Sequence, residues 1–260
     1  MGRAPPVLSA PTYQAISGLP LAERLVELRD PAVRAAILTE GDETSSRAEA
    51  GQLAYISKVL GDCHIISGVP DYEQPRSQSL GEIAEARGTS HEEACYDLLL
   101  GDDAMILYAL YNYVSWDHSV LHEQFEDPDA VLALADGGAH VAFICDASIP
   151  TFMLTHWARD RTRGPRLELA ETVRRLTSQT ADLYGLSDRG RLTVGTRADI
   201  NVIDHAALRL STPGAVHDLP AGGTRLLQPA TGYDVTMVAG AVTREHGRDT
   251  GARPGRLLRA

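Results

Sequence analysis

The alternation of apolar and polar positions divides the chain into a helix-rich front and a strand-rich rear. In "LPLAERLVELRDPAVRAAILTE", Leu21, Leu25 and Leu28 recur at helical spacing, and Pro31 suits the first turn of a second helix ending near Glu40. "CHIISGV" is an apolar run of strand length, and the polar loop "PDYEQPRSQ" follows it. Ser79 with Glu82 and Ser90 with Glu93 have the spacing of capping boxes, and Gly88 between them fits a helix C-cap, so two further helices are predicted there. "AMILYALYNYV" and "AVLALAD" are strand candidates, with "DHSVLHEQF" as a short helix between them. "RLELAETVRRLTSQTADLYG" predicts a helix carrying Leu169, Val173 and Leu176 on one stripe.

Strand, helix, strand with nearly continuous apolar strands predicts a parallel sheet covered by helices on its faces. After Tyr184 the texture changes. "DRGRLTVGTRADINVID", "TRLLQP" and "YDVTMVAGAVTREHG" are short β-type segments punctuated by glycine, with no amphipathic helix between them. The expected organisation is an α/β part over residues 1–185 and a small β domain over 186–260, closed by the Gly-, Pro- and Arg-rich strap "RDTGARPGRLLRA".

Composition narrows the function. A chain of 260 residues with 43% hydrophobic residues can bury a substantial core. A formal net charge of −11 with scattered basic residues argues against a nucleic-acid surface, which needs clustered Lys and Arg. Cys63, Cys95 and Cys145 lie far apart and form no CxxC pair, so neither a disulfide framework nor a zinc knuckle is indicated. The first twenty residues lack the apolar core of a secretory signal, and no run of eighteen apolar residues occurs, so no membrane association and a cytoplasmic location are expected.

The chemistry concentrates in "LALADGGAHVAFICDASIPTFMLTHWARDRTRG", residues 132–164. Asp136 is the first polar residue after the run "VLALA", where βα architectures place functional side chains, and Gly137 and Gly138 allow the backbone a sharp turn close to a ligand. The competing reading is an Asx-turn. His140 could orient substrate or serve as a hydrogen-bonded structural residue. Asn112 and Tyr113, with Tyr111, end the preceding strand candidate, where one of them could face a substrate or simply pack. Cys145, five residues after His140, is read as a buried thiol. His118 and His122 have i,i+4 spacing in a short polar helix, where a solvated face is favoured over a zinc site. No H-x-H, H-x-x-H or H-E-x-x-H spacing occurs among the nine histidines, and no G-x-S-x-G elbow or phosphate-binding loop is present.

Together, "ADGGAH", "ICDASIPTFMLTHWARDRTRG" and the Gly190–Asp204 run of the form G-x-L-x-x-G-x-x-A-D-I-x-V-I-D resemble the C-terminal half of the amidohydrolase superfamily. The nearest branch is family 3, similar to the N-acyl-D-amino-acid deacylases, or D-aminoacylases. The resemblance implies part of a (β/α)8 metallo-hydrolase barrel, its C-terminal strands, followed by a small β domain. It also implies Zn²⁺ as cofactor and hydrolysis of the amide bond of N-acyl-D-amino acids or a related small-molecule amide. Asp136 matches the carboxylate that ligates the metal or shuttles the proton of its water. A complete barrel needs about 250 residues before any β domain is counted, so the family's remaining metal ligands are expected outside this chain. On that view the isolated chain retains zinc poorly and is inactive. The alternative to an enzyme is a non-catalytic fragment, structural or complementing a chain that supplies the other barrel half, or a homo-oligomer.

Overall fold

The computed structural model describes residues 10–40, 59–101, 105–107, 116–132, 141–142 and 144–257. It divides into two compact units, Met1–His118 and Ser119–Ala260.

The first unit is mostly helical. α1 (Pro11–Ile16), where no helix was predicted, has proline in its first turn, and α2 (Leu21–Leu28) and α3 (Pro31–Glu40) follow the apolar spacing. Glu40 ties α3 to α1 by accepting from the Thr12 N–H and hydroxyl at 2.9 and 2.6 Å. α4 (Leu80–Arg87) and α5 (His91–Leu99) begin as the sequence predicts: Ser79 accepts from the Glu82 N–H, Ser90 from the Glu93 N–H, and Gly88 ends α4 in the left-handed region at φ 64°. Arg34 on α3 reaches Asp97 and Glu93 on α5 at 2.7 and 2.8 Å. The Tyr96 hydroxyl donates to the Leu28 carbonyl at 2.8 Å, satisfying a group left open at the end of α2. Two apolar clusters result, one around Tyr13, Leu28, Ile37 and Tyr96, the other around Leu60, Cys63, Leu80, Cys95 and Leu99.

β1 (His64–Ile66) pairs with β2 (Met105–Leu107), and here the expectation is corrected. The pairing is antiparallel, with His64 opposite Leu107 and Ile66 opposite Met105, where the apolar runs suggested parallel neighbours. Apolar continuity reports burial on both faces and carries no information about strand direction. Of the candidate strand "AVLALAD", Ala130, Val131 and Leu132 are not in a strand, and the remainder lies outside the described residues. The architecture mixes helices with antiparallel sheets, consistent with an α/β fold, and the described residues show no closed barrel.

The second unit opens with α6 (Ser119–Glu126). α7 (Ile149–Phe152) continues through wide π-type turns over Met153–Asp160, and α8 (Leu169–Arg174) continues likewise over Arg175–Gln179 into α9 (Thr180–Leu183). Leu169 and Val173 keep their shared face within α8, but that face is 40% and 43% exposed, while Thr172 and Arg175 are buried. Of the predicted stripe, Leu176 alone falls in the π-type segment.

From Ile200 on, the unit is built of short antiparallel strands. β3 (Ile200–Ile203), β8 (Tyr233–Val238), β9 (Ala241–Glu245) and β10 (Arg248–Asp249) form one sheet in the order β10-β9-β8-β3. β4 (Arg209–Leu210) pairs with β7 (Ala230–Thr231), and β5 (Gly214–Leu219) with β6 (Gly223–Leu227). Ala239–Gly240 and His246–Gly247 close the two consecutive hairpins with positive φ at both positions. That sign pattern matches a two-residue loop to the right-handed twist of its strands.

Candidate metal centre

The loop after β1 is held by its own polar side chains. Asp71 accepts from the Glu73 N–H at 2.8 Å, Gln74 donates to the Ile65 and Asp71 carbonyls, and His64 Nε2 lies 3.2 Å from the Pro75 carbonyl. This anchoring fixes Glu73, a carboxylate only 2% exposed, inside the first unit. A buried carboxylate needs partners, because desolvation penalises its charge heavily. His118, 1% exposed, supplies them: its backbone N–H donates to Glu73 Oε1 at 2.7 Å, and its ring Nδ1 stands 3.9 Å from Oε2.

The two distances mean different things. At 2.7 Å the backbone contact is a short, charge-assisted hydrogen bond. The 3.9 Å between Oε2 and Nδ1 is too long for a hydrogen bond. It suits two ligands of one divalent ion, whose bonds to carboxylate oxygen and imidazole nitrogen are each about 2.0–2.2 Å. The residues present therefore fit a metal. Among the described residues of the first unit, Glu73 and His118 are donors compatible with an ion. Within its own unit, His156 stacks on Phe152 with ring centroids 4.6 Å apart and meets Trp157 edge-on at 5.4 Å.

A family model matches residues 2–244, and its description is the amidohydrolase family. The chain belongs to the amidohydrolase family. Comparison with curated proteins and with solved structures found no match. Membership of an amidohydrolase family gives the Glu73–His118 geometry its chemical context, since carboxylate and imidazole are among the ligand types used in metal-assisted hydrolysis.

The structure does not describe most of the residues on which the sequence reading rested. Asp136, His140, Asn112 and Tyr113 are outside the described residues, as is Tyr111. Cys145 is half-buried, and burial with the neighbouring Asp146 raises its pKa, the opposite of an activated nucleophile. Burial pushes Cys63 and Cys95 up to about 12, which makes them inert packing thiols. His118 departs from the solvated face expected of it: it precedes α6 and is enclosed. His122 is 12% exposed at its side chain, with its ring 6.3 Å from that of Trp157. Glu73 was missed altogether. No motif or spacing in the sequence pointed to it. Among the described residues no helix is long and apolar enough to cross a membrane.

Proposed function

We propose that the chain takes part in the metal-dependent hydrolysis of the amide bond of N-acyl-D-amino acids or a related amide, with Zn²⁺ as the ion. The observation that carries this reading is the buried Glu73–His118 pair at 3.9 Å in a chain of the amidohydrolase family. Glu73 and His118 are the proposed ligands. A divalent ion supplies Lewis acidity toward the amide carbonyl and a water acidified to near neutral pH. Glu73 Oε1, by accepting the His118 N–H, keeps that residue in place while Oε2 remains directed toward the ring. Asp136 is the proposed proton carrier, accepting a proton from the attacking water and returning it to the leaving nitrogen, or a further ligand. His140, Asn112 and Tyr113 are the proposed substrate contacts.

A second reading has an observation of its own. The first unit supplies two donors among its described residues, and a stable catalytic site takes three protein ligands. The rest could come from other residues of this chain or from an associating one, including a second copy.

The test is release of free amino acid from paired D and L N-acyl substrates by protein loaded with Zn²⁺, Co²⁺ or Mn²⁺, alongside its mass in solution. The expected result is hydrolysis of the D substrate, abolished by chelation and lowered about 10²–10⁴-fold in kcat by Asp136→Asn. Hydrolysis that survives exhaustive chelation contradicts the metal, and equal turnover of the L substrate contradicts the substrate class. Turnover that rises with self-association supports the second reading.

A further inference from the structure

Two residues before His118 the backbone does something unusual. Trp116 has φ 57°, in the left-handed region that bulky side chains avoid because Cβ crowds the following carbonyl. Such a conformation persists only where surrounding contacts impose it. For Trp116 those contacts come from the loop that carries Glu73. The Arg76 guanidinium sits 5.5 Å over the indole, and the His64 ring meets it edge-on at 5.9 Å with an interplanar angle of 64°. Arg76 is further held by Glu82 at 3.0 Å, and His64 by the Pro75 carbonyl at 3.2 Å.

The segment 116–118 is thus pinned to the loop at two points, the indole at one end and the His118 N–H on Glu73 at the other. With both ends fixed and the turn between them left-handed, the direction in which His118 leaves the chain is set. We propose that Trp116 is a positioning residue: its indole, clamped by Arg76 and His64, imposes the turn that aims His118 at Glu73. As a role in metal binding this rests on the function proposed above. The orientation of the pair is a property of the unliganded chain as well.

The experiment combines amide NMR of the metal-free protein with Co²⁺ titration, on wild type and on Trp116→Ala, Trp116→Gly, Trp116→Phe and Arg76→Gln. In wild type the His118 amide, bonded to a buried carboxylate, is expected downfield and slow to exchange. Trp116→Ala should speed its exchange and weaken Co²⁺ binding by about tenfold or more, the usual effect of losing a residue that orients a ligand. Trp116→Gly should resemble Ala, because it relieves the strained φ yet lacks the ring. Trp116→Phe, which keeps an aromatic face for Arg76, should restore both readouts. Wild-type His118 exchange and Co²⁺ affinity in Trp116→Ala would overturn the proposal. Failure of the wild type to take up Co²⁺, with the amide still responding to the Trp116 variants, would remove the metal reading and leave the positioning role standing. If Trp116→Ala does not fold, Arg76→Gln decides, since Arg76 is largely exposed and its loss spares the core: loosening of the His118 amide supports the clamp, and an unchanged amide overturns it.

Discussion

Acid meets base in both units, with opposite geometry and opposite consequence. On the second unit Arg225 grips Asp218 through two 2.7 Å contacts, and Arg253 grips Asp249 at 2.9 Å, all in open solvent. In the first, Glu73 and His118 face each other at a loose 3.9 Å, almost entirely buried. Judged by distance, the surface pairs look stronger. Water reverses the ranking, because exposed charges are fully hydrated again on separating, whereas a buried carboxylate left without its partner bears its full desolvation cost. A tight exposed pair therefore says little about function, and a loose buried one asks for an explanation such as an ion between its atoms.

The sharpest way to break this comparison is to remove the buried carboxylate. Glu73→Ala leaves the buried His118 N–H without its carboxylate acceptor, and unfolding in urea should show a loss of about 2–4 kcal/mol. Glu73→Gln keeps an acceptor for the N–H and should lose clearly less. Equal stability of Glu73→Ala and wild type would mean that the pair contributes no more than a surface one.

Arg175 is the intermediate case. Its side chain is 9% exposed, paired to the half-exposed Glu171 at 2.8 Å, and it occupies an inward position of its helix. Arg175→Ala should cost about 1–2 kcal/mol, chiefly through lost packing of the stem, and Arg175→Met should recover most of it. If Met is as damaging as Ala, the charge matters more than the stem.

The smallest effects belong to the exposed pairs. Asp218→Asn should leave the urea midpoint within error at neutral pH. Acid reveals what little such pairs contribute. The Arg174 guanidinium, with Arg175 beside it, holds the Glu171 carboxyl at about 2, below the ordinary carboxylate range. A folded-state pKa lowered in this way contributes stability that is fully present above the unfolded pKa and is lost as pH falls toward 2. Glu171→Gln should accordingly show a slightly shallower loss of stability between pH 5 and 2.5 than wild type. An identical slope would show that solvent screens the contact completely.

Local rules made the helical front and the hairpin rear legible. Ser79, Ser90 and Gly88 act within a single helical turn, so their spacing alone predicts the caps that form. Strand direction was not legible, since β1 and β2 are about forty residues apart and their pairing depends on what lies between. Nor was the outward direction of Leu169 and Val173, because helical spacing puts residues on one face without saying which face packs. At the candidate site, the amidohydrolase family was readable from the "DGGAH" and Gly190–Asp204 motifs. Glu73 and His118 were not, because they are about forty-five residues apart and share no motif spacing. Trp116 was equally hidden, as a left-handed tryptophan obeys no sequence rule.

The central claim is that Glu73 and His118 are ligands of one metal ion, and equilibrium dialysis against Zn²⁺ or Co²⁺ with elemental analysis tests it most directly. Wild-type protein should bind the ion, and Glu73→Gln and His118→Ala should each weaken binding by about 100-fold or more while remaining folded by circular dichroism. Uptake that is the same in wild type and both variants, or absent from all three, would contradict it.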